Sequence, residues 1–144
     1  MDSPLGGVLR SRAAGVVLSM TEKQFRDWLE SYGRAWEGCD PDAAAALFSD
    51  AAEYYETPFG APCLGREGIR EYWLGATGSQ RDISFTHQIL SLASNMGIAR
   101  WAAEYTRVAS GRRVCLNGIF VLIFDEDGSC STLREWWHRS ESSD

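Results

Sequence analysis

From residue 82 to residue 139 the chain alternates with a period of two, and three turn signals divide that stretch. The signals are Asn95-Met96-Gly97, Ser110-Gly111 and Asp125-Glu126-Asp127-Gly128. They predict four strands, about 82–94, 98–109, 112–124 and 129–139, joined by short connections. Strands joined this tightly pair antiparallel, as a meander. Asn117-Gly118 is a second possible hairpin dipeptide. Ser110-Gly111 divides the run more evenly, so it takes the turn.

Upstream the period is helical. Thr21 followed three residues later by Gln24 fits a capping box. Phe25, Trp28, Leu29, Tyr32 and Trp36 then fall on one face of a helix over about 22–37, which Gly38 ends. Asp40-Pro41 pairs an N-cap acid with a proline at the first helical position, so a short second helix starts there. AEYYET reads as a strand stopped by Pro58, Gly60 and Pro62. A third helix opens at Gly65, with Ile69, Tyr72, Trp73 and Ala76 on one side and Gly75 and Gly78 as its stop. Helices and strands are segregated, which predicts an α+β fold with the helices on one face of an antiparallel sheet.

The chain of 144 residues is expected to be one domain over 20–139. Residues 1–19 mix Gly, Ser and Arg without a period and read as a disordered leader, and 140–144 as a loose tail. A net charge of −6 without a basic stripe argues against nucleic acid. No apolar run reaches membrane-spanning length, so no membrane partner is expected. Cys39, Cys63, Cys115 and Cys130 have neither a CxxC pair nor zinc spacing, and read as reduced thiols of a cytoplasmic protein. Two histidines without an HxH or HExxH pattern predict no metal. GxGxxG and the Walker pattern are both absent, and no cofactor is expected.

Strand parity sorts the side chains. On the last strand Leu133, Glu135 and Trp137 share a face, and Arg134, Trp136 and His138 share the other. On the strand from Ile98, Trp101, Ala103 and Tyr105 oppose Arg100, Glu104 and Thr106. The strand VCLNGIFVLIF is apolar on both faces, so the face away from the helices needs a cover. A homodimer through that outer face is the simplest cover. The set with Trp101, Tyr105, Leu133, Glu135 and Trp137 belongs under the helices. Glu135 is then either an acid in an apolar pocket, its pKa raised by desolvation, or a rim charge paired with a neighbouring arginine.

FRDWLESYGRAW, AEYYETPFGAPCLGREGIREYW and DGSCSTLREWWH, with this element order, resemble the nuclear-transport-factor-2-like superfamily, the SnoaL-like or cystatin-like α+β cone. The resemblance covers about 21–139 and implies a cone-shaped, strongly curved antiparallel sheet with three N-terminal helices covering its concave face. A partial residue match to the limonene-epoxide hydrolases can be laid over it. There Tyr54 falls on a water-holding tyrosine, Glu56 on an asparagine, and Glu135 on the aspartate that serves as base. The hydrolases' Arg-x-Asp pair falls on Trp101 and Ala103, so the proton donor for an epoxide oxygen is missing. His87 and His138 are the candidates for the cyclases' histidine.

The expected activity is therefore cofactor-free acid–base catalysis (isomerisation, dehydration, cyclisation or hydrolysis) on a small hydrophobic oxygenated molecule. Glu135, Tyr54 and Glu56 are the candidate catalytic residues. Tyr32, Trp36, Trp73, His87, Trp101, Tyr105, Leu133 and Trp137 are the candidate pocket. The alternatives are a non-catalytic binding protein for a hydrophobic metabolite and a dimeric interaction module.

Overall fold

The computed structural model describes residues 11–12, 14–15 and 19–142. The expected leader therefore lies mostly outside the described residues; of its described residues, Ser11–Arg12 and Ala14–Gly15 form a two-residue ladder. The last two residues of the expected tail also lie outside them.

The order is α1 (Glu22–Glu37), α2 (Pro41–Ala45), β1 (Phe48–Tyr55), β2 (Cys63–Leu64), α3 (Gly65–Gly78), β3 (Gln80–Ala93), β4 (Met96–Arg107), β5 (Arg113–Phe124) and β6 (Cys130–Glu141). The capping box is present in both directions: Thr21 Oγ1 accepts from Gln24 N at 3.1 Å and Gln24 Oε1 accepts from Thr21 N at 2.8 Å. Asp40 Oδ1 accepts from Ala43 N at 3.1 Å and starts α2. α3 runs through Gly75 to Gly78, so the first glycine expected to stop it is interior. β6 continues to Glu141, where Arg107 clamps the carboxylate through Nε at 2.9 Å and Nη2 at 3.2 Å.

One curved, unclosed sheet carries the strands in the order β2-β1-β6-β5-β4-β3. β3 to β6 form the expected antiparallel meander, whereas β1 runs parallel to β6. The chain's last strand thus lies inside the sheet. Register shifts in β3 between Arg81 and Ser84 and between Ile89 and Ser91 mark irregularities of the kind that bend a strand.

Two glycines set how closely the layers meet. A Cβ at Gly33 on α1 would lie 2.6 Å from Phe85 Cδ2, so α1 rests directly on β3. Gly118 sits mid-strand in β5, opposite Trp101 and Trp137. A Cβ there would lie 2.5 Å from the Trp136 carbonyl oxygen and 3.0 Å from Trp101 Cε2. Asn117-Gly118 is therefore no turn; the glycine makes room for a tryptophan ring. The core between helices and sheet is largely aromatic, with Phe25, Trp28, Tyr32, Phe48, Tyr54, Trp73, Trp101 and Phe120 all buried.

Candidate functional site

Glu135 stands on β6 between Phe120 of β5 and the β1 segment that carries Tyr54. Parity sends its side chain under the helices, and it is only 6% exposed. Its neighbours in sequence face the other way. The Arg134 guanidinium lies 3.9 Å over the Tyr55 ring on the outer face, and Trp136 is 46% exposed. The neighbouring arginine of the rim-charge alternative is thus held on the opposite side of the sheet. Among the described residues the ion pairs lie elsewhere, and none involves Glu135.

A carboxyl without a cation in an apolar interior keeps its proton more readily. Burial pushes the pKa of Glu135 well above the ordinary value of 4.5, and the negative charge of Glu56 pushes the same way. Hydrogen bonding from Tyr54 opposes both, since a phenol donor stabilises the carboxylate. Tyr54 is linked in turn to Tyr32 of α1, hydroxyl to hydroxyl, at 2.9 Å. Burial raises the pKa of both tyrosines, and that of Tyr72 on α3, so all three phenols stay protonated donors at neutral pH.

These groups open onto a cavity of about 170 Å³. Nine of the predicted residues line it: Tyr32, Trp36, Tyr54, Glu56, Trp73, Trp101, Tyr105, Glu135 and Trp137. Half-buried Glu56 and Trp137 lie toward the mouth, where Trp137 Nε1 donates to the Glu56 carbonyl oxygen at 3.1 Å. Trp36 Nε1 donates to Gln80 Oε1 at 2.8 Å, which braces a second wall. The indole N–H groups of Trp73 and Trp101 are buried without a partner.

Two predicted residues do not line the cavity. Leu133 is fully buried in the core, paired with Tyr54 and Leu122, one step deeper along β6 than Glu135. His87 has the expected parity but stands on edge strand β3, three strands from β6, or roughly 14 Å at ~4.8 Å per strand. Trp101, its pairing partner on β4, lies on the cavity side of it. His87 instead feels Glu30 and Arg26 of α1, and burial lowers its pKa below 6.5. Six lining residues were missed: Tyr72, Ala76, Thr77, Gln80, Leu116 and Arg139. The helical spacing that selected Trp73 also places Tyr72, and the parity of Glu135 and Trp137 continues to Arg139. Gln80, at the start of β3, has no comparable signal.

Among the described residues no three His, Cys, Asp or Glu side chains gather as metal ligands would. No helix is long and apolar enough to cross a membrane among the same residues. The four cysteines are free.

The chain is 29% identical to a steroid Δ-isomerase of Nocardioides simplex over 107 residues, 74% of this chain and 83% of the relative. Its fold matches SalBIII, an epoxide hydrolase/cyclase-like enzyme of pyran ring formation in the polyether salinomycin, with a TM-score of 0.70 at 20% identity. That match covers 83% of this chain and 95% of the other. A Δ5-3-ketosteroid isomerase from Mycobacterium sp. matches with a TM-score of 0.71 at 17% identity, covering 83% and 98%. A computationally designed 17-OHP binder matches equally well, with a TM-score of 0.71 at 17% identity and coverage of 83% and 97%. The model of the SnoaL-like domain matches residues 26–132, most of the chain and all of α3 to β5, and the chain belongs to that family, within the nuclear-transport-factor-2-like superfamily.

Proposed function

We propose that this protein is a cofactor-free acid–base catalyst that moves a proton on a small, largely apolar, oxygenated substrate. The observation that carries the reading is Glu135: buried, without a cation, and beside the Tyr54–Tyr32 hydroxyl pair. Held neutral, it offers a proton or a strong hydrogen bond to a substrate oxygen, with Tyr54 as second donor. Glu56 is the negative partner that raises Glu135, and it stands on the same cavity. Two carboxyls on one cavity, Glu135 raised in proton affinity, can divide the roles of acid and base. Glu56 takes a proton from the carbon beside the oxygen-bearing carbon, the donors hold the charge that develops on oxygen, and the proton returns to a second carbon. That sequence is an isomerisation. It accords with the steroid isomerase relative, and the cyclase-like neighbour fits the same division of labour.

The test is turnover of unsaturated ketones, followed by mass spectrometry and NMR. Glu135→Gln and Glu56→Gln are each expected to lower kcat by about 10²–10⁴-fold, the usual range for a positioned acid or base. Full activity in Glu135→Gln refutes the assignment.

A second reading is a binding protein without chemistry. It is favoured by Trp101 and Ala103, which stand where the hydrolases carry their Arg-x-Asp pair. Unchanged recovery of every bound ligand would support it. In either reading we place the protein in the cytoplasm, where its free thiols fit. We also place a homodimer at the outer sheet face, where Ile98, Ile119, Val121 and Ile123 are half-buried beside exposed Trp136.

A further inference from the structure

We infer that the substrate of this site is a monocyclic, neutral carbonyl compound, about one six-membered ring in size, and not a fused multi-ring skeleton. This deepens the reading above and rests on it in one respect, that the cavity beside Glu135 is where the substrate binds.

The first support is volume. The cavity holds about 170 Å³. An apolar cavity of ~150 Å³ takes benzene, so this one matches a single six-membered ring bearing a substituent oxygen. Sites for drug-sized ligands run to about 300–1,000 Å³. A four-ring steroid would therefore overfill the cavity as it stands, leaving most of its skeleton outside the mouth.

The second support is that the walls are braced. Trp36 lies 5.9 Å from Trp73 and 5.8 Å from Trp101, centroid to centroid. Trp101 stacks on Phe120 at 5.2 Å and 18°, and its edge is seated on Gly118. Trp36, Trp73 and Trp101 are thus each already backed by another ring or by backbone, which leaves Trp137 at the mouth as the ring free to give way. Interiors packed this way resist expansion.

The third support is the distribution of polar groups. The deep end presents Glu135 and Tyr54, both buried, and no cation. A buried charge needs a counter-charge, so the ring that enters is neutral and carries one oxygen toward these donors. The cation that does line the cavity, Arg139, is exposed and belongs to the mouth.

The experiment is a size series in binding, read by the indole N–H resonances of the tryptophans and by calorimetry. The ligands are phenol as a one-ring probe, cyclohex-2-enone as a one-ring ketone, 2-naphthol, and the steroid androst-4-ene-3,17-dione. Phenol and cyclohexenone are expected to bind at least tenfold more tightly than the steroid and to shift the Trp73 and Trp101 indole signals. Trp137→Ala opens the half-exposed mouth, and 2-naphthol should then gain at least tenfold while phenol changes less than threefold. The inference is overturned by a steroid affinity equal to or above that of the one-ring probes, by no binding of any ligand, or by no gain for naphthol in Trp137→Ala. Repeating the series in Glu135→Gln separates the two readings. The size ranking should persist there, whereas turnover alone decides the catalytic reading.

Discussion

Replacing Glu135 by Gln tests the electrostatic premise without any substrate. The amide keeps the shape of the protonated carboxyl. What the variant removes is the ability to ionise. In the folded protein burial and Glu56 raise the pKa of Glu135 above 4.5, while the unfolded chain keeps the ordinary value. Between those two values the folded state holds a proton that the unfolded state has released. Stability must then fall as pH rises, because unfolding liberates the proton. With one group involved, the slope is at most about 1.4 kcal/mol per pH unit. The contribution is fully favourable below pH 4.5, declines through the window up to the folded pKa, and is flat beyond it. Wild type and Glu135→Gln should therefore have similar stability near pH 4, and the variant should gain steadily on wild type toward neutral pH.

The assay is urea denaturation of both proteins from pH 4 to pH 8, followed by tryptophan fluorescence. The variant leaves every other titrating group in place, so their common contributions largely cancel in the difference. A difference that does not change with pH would refute the argument. So would a variant that loses stability toward neutral pH, because that is the signature of a carboxylate stabilised by a cation.

Other outcomes follow from the same geometry. Tyr54→Phe leaves the buried Tyr32 hydroxyl without its partner and should cost about 1–3 kcal/mol in urea melts. Gly118→Ala places a methyl 2.5 Å from the Trp136 carbonyl oxygen and should destabilise by about 1–3 kcal/mol, with the Trp101 ring displaced in near-ultraviolet circular dichroism. His87 is held below pH 6.5 by burial, so wild type should lose stability relative to His87→Gln as pH falls through 6.5, with little difference above it. Trp136→Lys on the outer face should shift sedimentation toward the monomer while the cavity ligands still bind.

The fold was legible because three independent signals agreed: the capping box, the change from helical to two-residue period, and the turn residues. Strand parity then carried most of the site, placing Trp101, Tyr105, Glu135 and Trp137 on one surface before any coordinates. Parity has a limit that His87 exposes. It states which face a side chain occupies but not how many strands separate it from the centre. His87 and Trp101 share a face, yet strand order puts one at the edge and the other at the cavity wall. Leu133 marks the same limit along the strand, since two residues of rise separate a core position from a lining one. Gln80 was illegible for a different reason: its role depends on Trp36, 44 positions away, and no local pattern encodes that bond.

The insertion of β6 between β1 and β5 ties folding to chemistry. Tyr54 is supplied by β1 and Glu135 by β6, and their adjacency exists only because the two strands pair in parallel. Parallel pairing needs a long connection, and here it encloses α3 and the β3–β5 meander. Tyr72 and Trp73 on α3 and Trp101 on β4 lie within that connection, so the segment that makes the parallel pair possible also supplies cavity walls. The acid and the aromatic walls therefore assemble together. Until β6 docks, Glu135 has neither Tyr54 beside it nor the dry surroundings that raise its pKa. A chain ending before β6 would keep the local helix signals and the β3–β5 meander, but it would lose the acid and the strand that joins β1 to the rest of the sheet.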